Sequence, residues 1–145
     1  MKKIGLGLVS LILLKTSIGF SQNSVIIRYV DTEIQTPIRI TGYLFSSGWE
    51  FEEFVVKDSI FHKFIQQRID SIKYCRDNSI QCRFPDVRQQ IIVTNGEEYD
   101  ILSSDGSFAM EINGKPIIFD KPLQRAIHRA IEAYEDKKGG NSANK

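Results

Sequence analysis

Two cysteines, Cys75 and Cys82, two histidines, His62 and His128, and a scatter of carboxylates could do covalent, acid–base or metal chemistry in this 145-residue chain. Nucleophilic catalysis needs a serine or cysteine beside a histidine that an acid orients. His62 sits between Phe61 and Lys63, and His128 between Ile127 and Arg129, with no nucleophile-elbow sequence near either. Both read as exposed or boundary residues of helices. Acid–base catalysis needs two carboxylates in one cleft with separated pKa values. Glu50, Glu52, Glu53, Asp86, Asp100, Asp105 and Glu111 could supply a pair, but carboxylates on strand surfaces and turns are ordinarily just solvated.

Metal and cofactor chemistry have still less support. The sequence holds no His-x-x-x-His, no Cys-x-x-Cys, no Asp-rich calcium loop, and no phosphate-binding or dinucleotide fingerprint. No catalytic residue, metal site or cofactor is therefore assigned. An aromatic group offers a binding reading instead. Tyr43, Phe45, Trp49 and Phe51 flank the Ser46-Ser47-Gly48 turn signal. Packed beneath a helix they would be ordinary core. Exposed together, Tyr43 and Trp49 would anchor a protein or sugar partner, with Glu50 and Glu52 as an acidic rim. Those four are the candidate binding residues, and Arg83, Arg88 and Lys73 are the candidate counter-patch.

The elements that would position these residues are legible in the pattern. Asn95-Gly96, Asp105-Gly106 and Asn113-Gly114 lie ten and then eight residues apart, and such pairs tolerate the positive φ of tight hairpins. They divide the chain into a four-strand meander: Val87–Thr94, Glu98–Leu102, Phe108–Ile112 and Pro116–Phe119. Upstream, Val25–Val30 and Pro37–Phe45 read as strands. Trp49–Val56 reads as a third, with a bulge at Glu52-Glu53 turning Trp49, Phe51, Phe54 and Val56 to one side.

Two helices complete the pattern. One, capped by Asp58 or Ser59 and running to about Tyr74, has its apolar stripe on Ile60, Phe61, Phe64, Ile65, Ile69 and Ile72. The other starts at Asp120 and buries Leu123, Ala126, Ile127, Ala130, Ile131 and Tyr134. Gly139-Gly140 should stop it, leaving 139–145 as a disordered tail. The fold expected is α+β: an antiparallel sheet of about six to seven strands with two helices packed on it, in the order strands, helix, four-strand meander, helix.

The first residues set the compartment. Lys2 and Lys3 precede an apolar run from Ile4 to Leu14, and Gly19-Phe20-Ser21 supplies a small-x-small cleavage site. That order is a secretory signal peptide over 1–21, and a single domain over 22–138 follows. The run stops at Lys15, short of the ~20 residues that span a bilayer, and no later segment is long and apolar enough. Removing 21 of 145 residues leaves 124, and taking three lysines from the 19 basic residues leaves 16 against 18 acidic. A mature chain near −2 offers no general attraction to nucleic acid. In an exported chain, Cys75 and Cys82 read as a disulfide.

The function this supports is a small periplasmic or secreted protein, a non-enzymatic binding module whose partner would be another envelope or extracellular protein. A hydrolase that gathers carboxylates or a histidine in the fold is the second reading. A structural component of the envelope is the third.

Overall fold

The computed structural model describes residues 23–30, 39–48, 50–75 and 82–142. The elements run β1 (Ser24–Tyr29), α1 (Gly42–Gly48), β2 (Glu52–Val56), α2 (Ser59–Asp70), β3 (Gln89–Asn95), β4 (Glu98–Ser104), β5 (Met110–Ile112), β6 (Lys115–Ile117) and α3 (Lys121–Ser142). The six strands form one antiparallel sheet ordered β2-β1-β3-β4-β5-β6. This is the α+β architecture expected, with the C-terminal meander intact. The leader at 1–21 and Trp49 lie outside the described residues.

The turns explain the meander. Asn113 (φ 49) and Gly114 (φ 75) are both left-handed, the type I′ pattern whose twist matches the flanking strands β5 and β6. Gly96 (φ 64) likewise closes the tight β3–β4 connection. Asp105-Gly106 does something else. One Asp105 carboxylate oxygen accepts from the amides of Ser107 (2.8 Å), Phe108 (2.9 Å) and Ala109 (3.1 Å). The turn widens into a loop, so β5 begins at Met110, and Phe108 is left 65% exposed outside the strand.

One sheet face carries α2 and α3. Val25, Ile27 and Tyr29 from β1, Ile91 and Val93 from β3, and Leu102, Met110, Ile112 and Ile117 beyond them meet Ile65, Leu123 and Ile127 in the main core. Burial of so much aliphatic surface is the dominant stabilising term. Asp58 caps α2, its Oδ1 accepting from Ile60 N at 2.8 Å and Phe61 N at 3.3 Å. α2 ends at Asp70 rather than near Tyr74; Phe61, Phe64, Ile65 and Ile69 keep the expected stripe, and Ile72 packs on the core from beyond the helix end. Ile60 is 79% exposed and His62 is buried in its stead, with Nε2 2.9 Å from the Thr94 carbonyl. The expectation of an exposed or boundary His62 is corrected: a start at Ser59 turns positions 61, 62 and 65 toward the sheet.

The opposite face departs further from expectation. Pro37–Phe45 does not form a strand over its described residues. Ile40 pairs briefly with the 86–87 segment (Ile40 N to Asp86 Oδ1 2.6 Å, Val87 N to Ile40 O 2.8 Å), and α1 then begins at Gly42. The Thr41 hydroxyl caps it by accepting from Leu44 N at 3.3 Å. Ile40 and Phe45 can thereby both plug a second, smaller core with Val30, Val87 and Phe51. Ser46-Ser47-Gly48 ends a helix rather than turning a hairpin.

β2 contains no bulge. Its register against β1 is regular from Glu52↔Tyr29 to Val56↔Val25. The parity conflict between Phe51 and Phe54 resolves by using both faces: Phe54 joins the main core, while Phe51 stacks on Phe45 in the smaller one.

The β6 edge is covered by residues 73–75. Tyr74 bridges to Ile117, Ile118 N donates to Lys73 O (3.0 Å) and Cys75 N to Pro116 O (3.3 Å). Cys75 is disulfide-bonded to Cys82 with Cα atoms 5.7 Å apart, so the bond tethers this edge segment. At the other end, α3 continues through Gly139 and Gly140 to Ser142, correcting the expected stop at Lys138. Neither glycine adopts the left-handed conformation of a C-cap, and each faces open space. No helix among the described residues is long and apolar enough to cross a membrane.

Candidate functional site

A groove of about 380 Å³ lies between the Asp105–Ala109 loop and the first half of α3. That volume falls in the ~300–1,000 Å³ typical of small-ligand sites. Three cations line it: Lys121, Arg125 and Arg129. They recur every four residues along one helix, so they follow one side of α3 over a rise of about 12 Å. Among the described residues none of the three has an ion-pair partner. His128 and Glu132 complete the helix wall, Phe119 lines the groove just before the start of α3, and Gly106 and Ser107 line it from the loop.

A buried chain of hydrogen bonds underlies this wall. The Ser104 hydroxyl accepts from Gly106 N (2.9 Å) and donates to Gln124 Oε1 (2.7 Å). Gln124 Nε2 donates to Gln89 Oε1 (2.7 Å), and Gln89 Nε2 reaches toward His128 Nε2 at 3.5 Å. Gly106 (φ 85) supplies the left-handed turn that brings the loop against Gln89 and His128. Because every member is satisfied, the chain holds α3 against β3 and β4 at a fixed height. It does not build a nucleophile. Ser104 is fully buried, and its partner is an amide, which is no base.

Of the candidate binding residues read from the sequence, Trp49 lies outside the described residues. Tyr43 is 79% exposed on α1. Glu52 belongs to the other side of the sheet, bonding Lys138 of α3 at 2.9 Å; that bond holds the Lys138 ammonium above its ordinary range. Glu50 is exposed in the connection before β2. Of the counter-patch, Arg88 pairs with Asp86 at 2.8 Å.

The remaining carboxylates have structural partners. Glu53 pairs with Arg28 at 2.6 Å, Asp100 accepts from Asn113 Nδ2 at 2.8 Å, and Asp105 organises its loop. Glu111 is buried beneath α1, where desolvation raises its pKa against the opposing effects of the Ser103 hydrogen bond and the Arg39 charge. Tyr29 is held above the usual phenol range by burial and by its hydrogen bond to Glu135. Among the described residues no three potential ligands come together to hold a metal ion.

Sequence reasoning passed over Lys121, Arg125 and Arg129. The signal was present as cations at i, i+4 and i+8 beside the apolar stripe of α3, a pattern that also describes an ordinary solvated helix face. Only the packing of the 105–109 loop makes it a wall. Compared with protein-family models, curated proteins and solved structures, the chain matches none.

Proposed function

We propose that this chain is a small exported binding module that takes an anionic ligand in the groove of α3. One observation carries the reading: three cations without ion-pair partners among the described residues converge on a ligand-sized groove with a rigid, satisfied floor. Isolated surface cations are freely hydrated, whereas several held along one concave wall act on the same anion. Export is supported by the leader-like first 21 residues and by the Cys75–Cys82 bond, a type that persists in oxidising compartments. The hydrolase reading lacks a corresponding observation, since Ser104 is buried and most carboxylates hold structural bonds.

The experiment is a heteronuclear NMR titration of the mature domain with inorganic phosphate. The amides of Gly106, Ser107, Gln124 and His128 should shift together and saturably. Arg125→Glu with Arg129→Glu should abolish those shifts while leaving the rest of the spectrum in place. Shifts scattered over the surface, or unchanged in the double variant, would overturn the reading.

A further inference from the structure

The groove offers more than a bare inorganic anion can use. Glu132 stands in the same wall as the three cations, where it would repel a simple phosphate or sulfate. A carboxylate in that position suits a ligand that also brings hydroxyl donors, which a charged acceptor binds strongly. His128 adds a second polar group beside it, steadied from behind by Gln89.

The aromatic lining points the same way. Phe119 packs partly into the main core, so its ring is fixed rather than swinging in solvent. It lies between Ile118, whose amide is tied to Lys73, and Asp120, which caps α3 through Leu123 N (2.9 Å) and pairs with Arg68 (2.9 Å). The exposed part of a fixed aromatic face receives the positively polarised C–H groups of a saturated ring. An acidic sugar brings an acid group, hydroxyl donors and a C–H face together.

Resting on the anionic-ligand reading, we infer that the groove recognises an acidic sugar, with the acid group on Lys121, Arg125 and Arg129, hydroxyls on Glu132 and His128, and one ring face on Phe119. The acid is a carboxylate in a uronic acid and a phosphate in a sugar phosphate. The shared chemistry is a polyhydroxylated ring bearing one anionic group.

Calorimetric titration of the mature domain with four probes tests this: inorganic phosphate, glucose, glucose 6-phosphate and glucuronate. At least one acidic sugar should bind about tenfold or more tighter than either phosphate or glucose. Phe119→Leu, which keeps apolar volume but removes the aromatic face, should weaken that sugar about threefold and leave phosphate unchanged. Glu132→Gln should weaken the sugar and strengthen phosphate. If phosphate binds as tightly as both acidic sugars, the sugar inference falls while the anion reading stands. If none of the three anions binds, both fall. Glucose binding as tightly as the acidic sugars would overturn the role of the cations.

Discussion

Gly42→Ala is expected to destabilise the protein although it places a better helix former in a helix. Gly42 opens α1 with ordinary negative φ, so alanine is conformationally acceptable and its propensity gain is at most about 1 kcal/mol. Space decides against it. A Cβ there would lie 2.8 Å from Glu111 Oε1 and 3.2 Å from Ser103 Oγ. Glu111 cannot easily yield, because it is 8% exposed and bonded to Ser103. Overpacking of this kind costs about 1–3 kcal/mol. The net expectation is a loss of about 1–2 kcal/mol, read as a lower urea midpoint at unchanged slope. A double-mutant cycle locates the cause: in a Glu111→Ala background the same change should be neutral or stabilising, a coupling of about 1 kcal/mol or more. A stabilised Gly42→Ala protein, or equal effects in the two backgrounds, would refute the close approach.

Two further outcomes follow from the fold. The Cys75→Ser, Cys82→Ser double variant should lose about 2.5 kcal/mol through the entropy of the opened loop, a melting point lower by about 10 °C. The Cys75 and Ile118 amides should also exchange faster, since the bond tethers the strand-like 73–75 segment; an unchanged midpoint under oxidising conditions removes that role. Glu111→Gln tests the buried carboxyl. Its pKa is raised in the folded state, so the folded chain holds a proton that the unfolded chain has already released. Its contribution is then full below the unfolded carboxylate value of about 4.3 and is lost as pH rises through the folded value. The stability of the Gln variant relative to wild type should therefore grow from pH 4 to pH 7, and a difference independent of pH would contradict the burial argument.

What could be read before folding was local. The Asn113-Gly114 turn needs two left-handed residues in succession, and few other pairs tolerate that, so sequence alone announced the hairpin. The stripe of α3 and the Asp58 cap of α2 were equally visible, because each is a relation among residues within a turn or two of helix. Cys75 and Cys82 were close enough in sequence to meet without help from the rest of the chain.

The errors lie where distant partners decided. Residues 37–45 alternate like a strand, but Ile40 and Phe45 both find the pocket made by Val30, Val87 and Phe51, and a helix is what lets both reach it. Phe51 and Phe54 need no bulge once each sheet face has its own core. The groove is the clearest case. Lys121, Arg125 and Arg129 are an unremarkable charged face until the Ser104–Gln124–Gln89 chain seats α3 beside the Gly106 loop. Sequence by itself determined the meander strands, the Asp58 cap and the Asn95-Gly96 and Asn113-Gly114 turns, whose energies are set by neighbours along the chain. Which faces meet, and hence where a ligand could sit, was decided only by contacts between residues tens of positions apart.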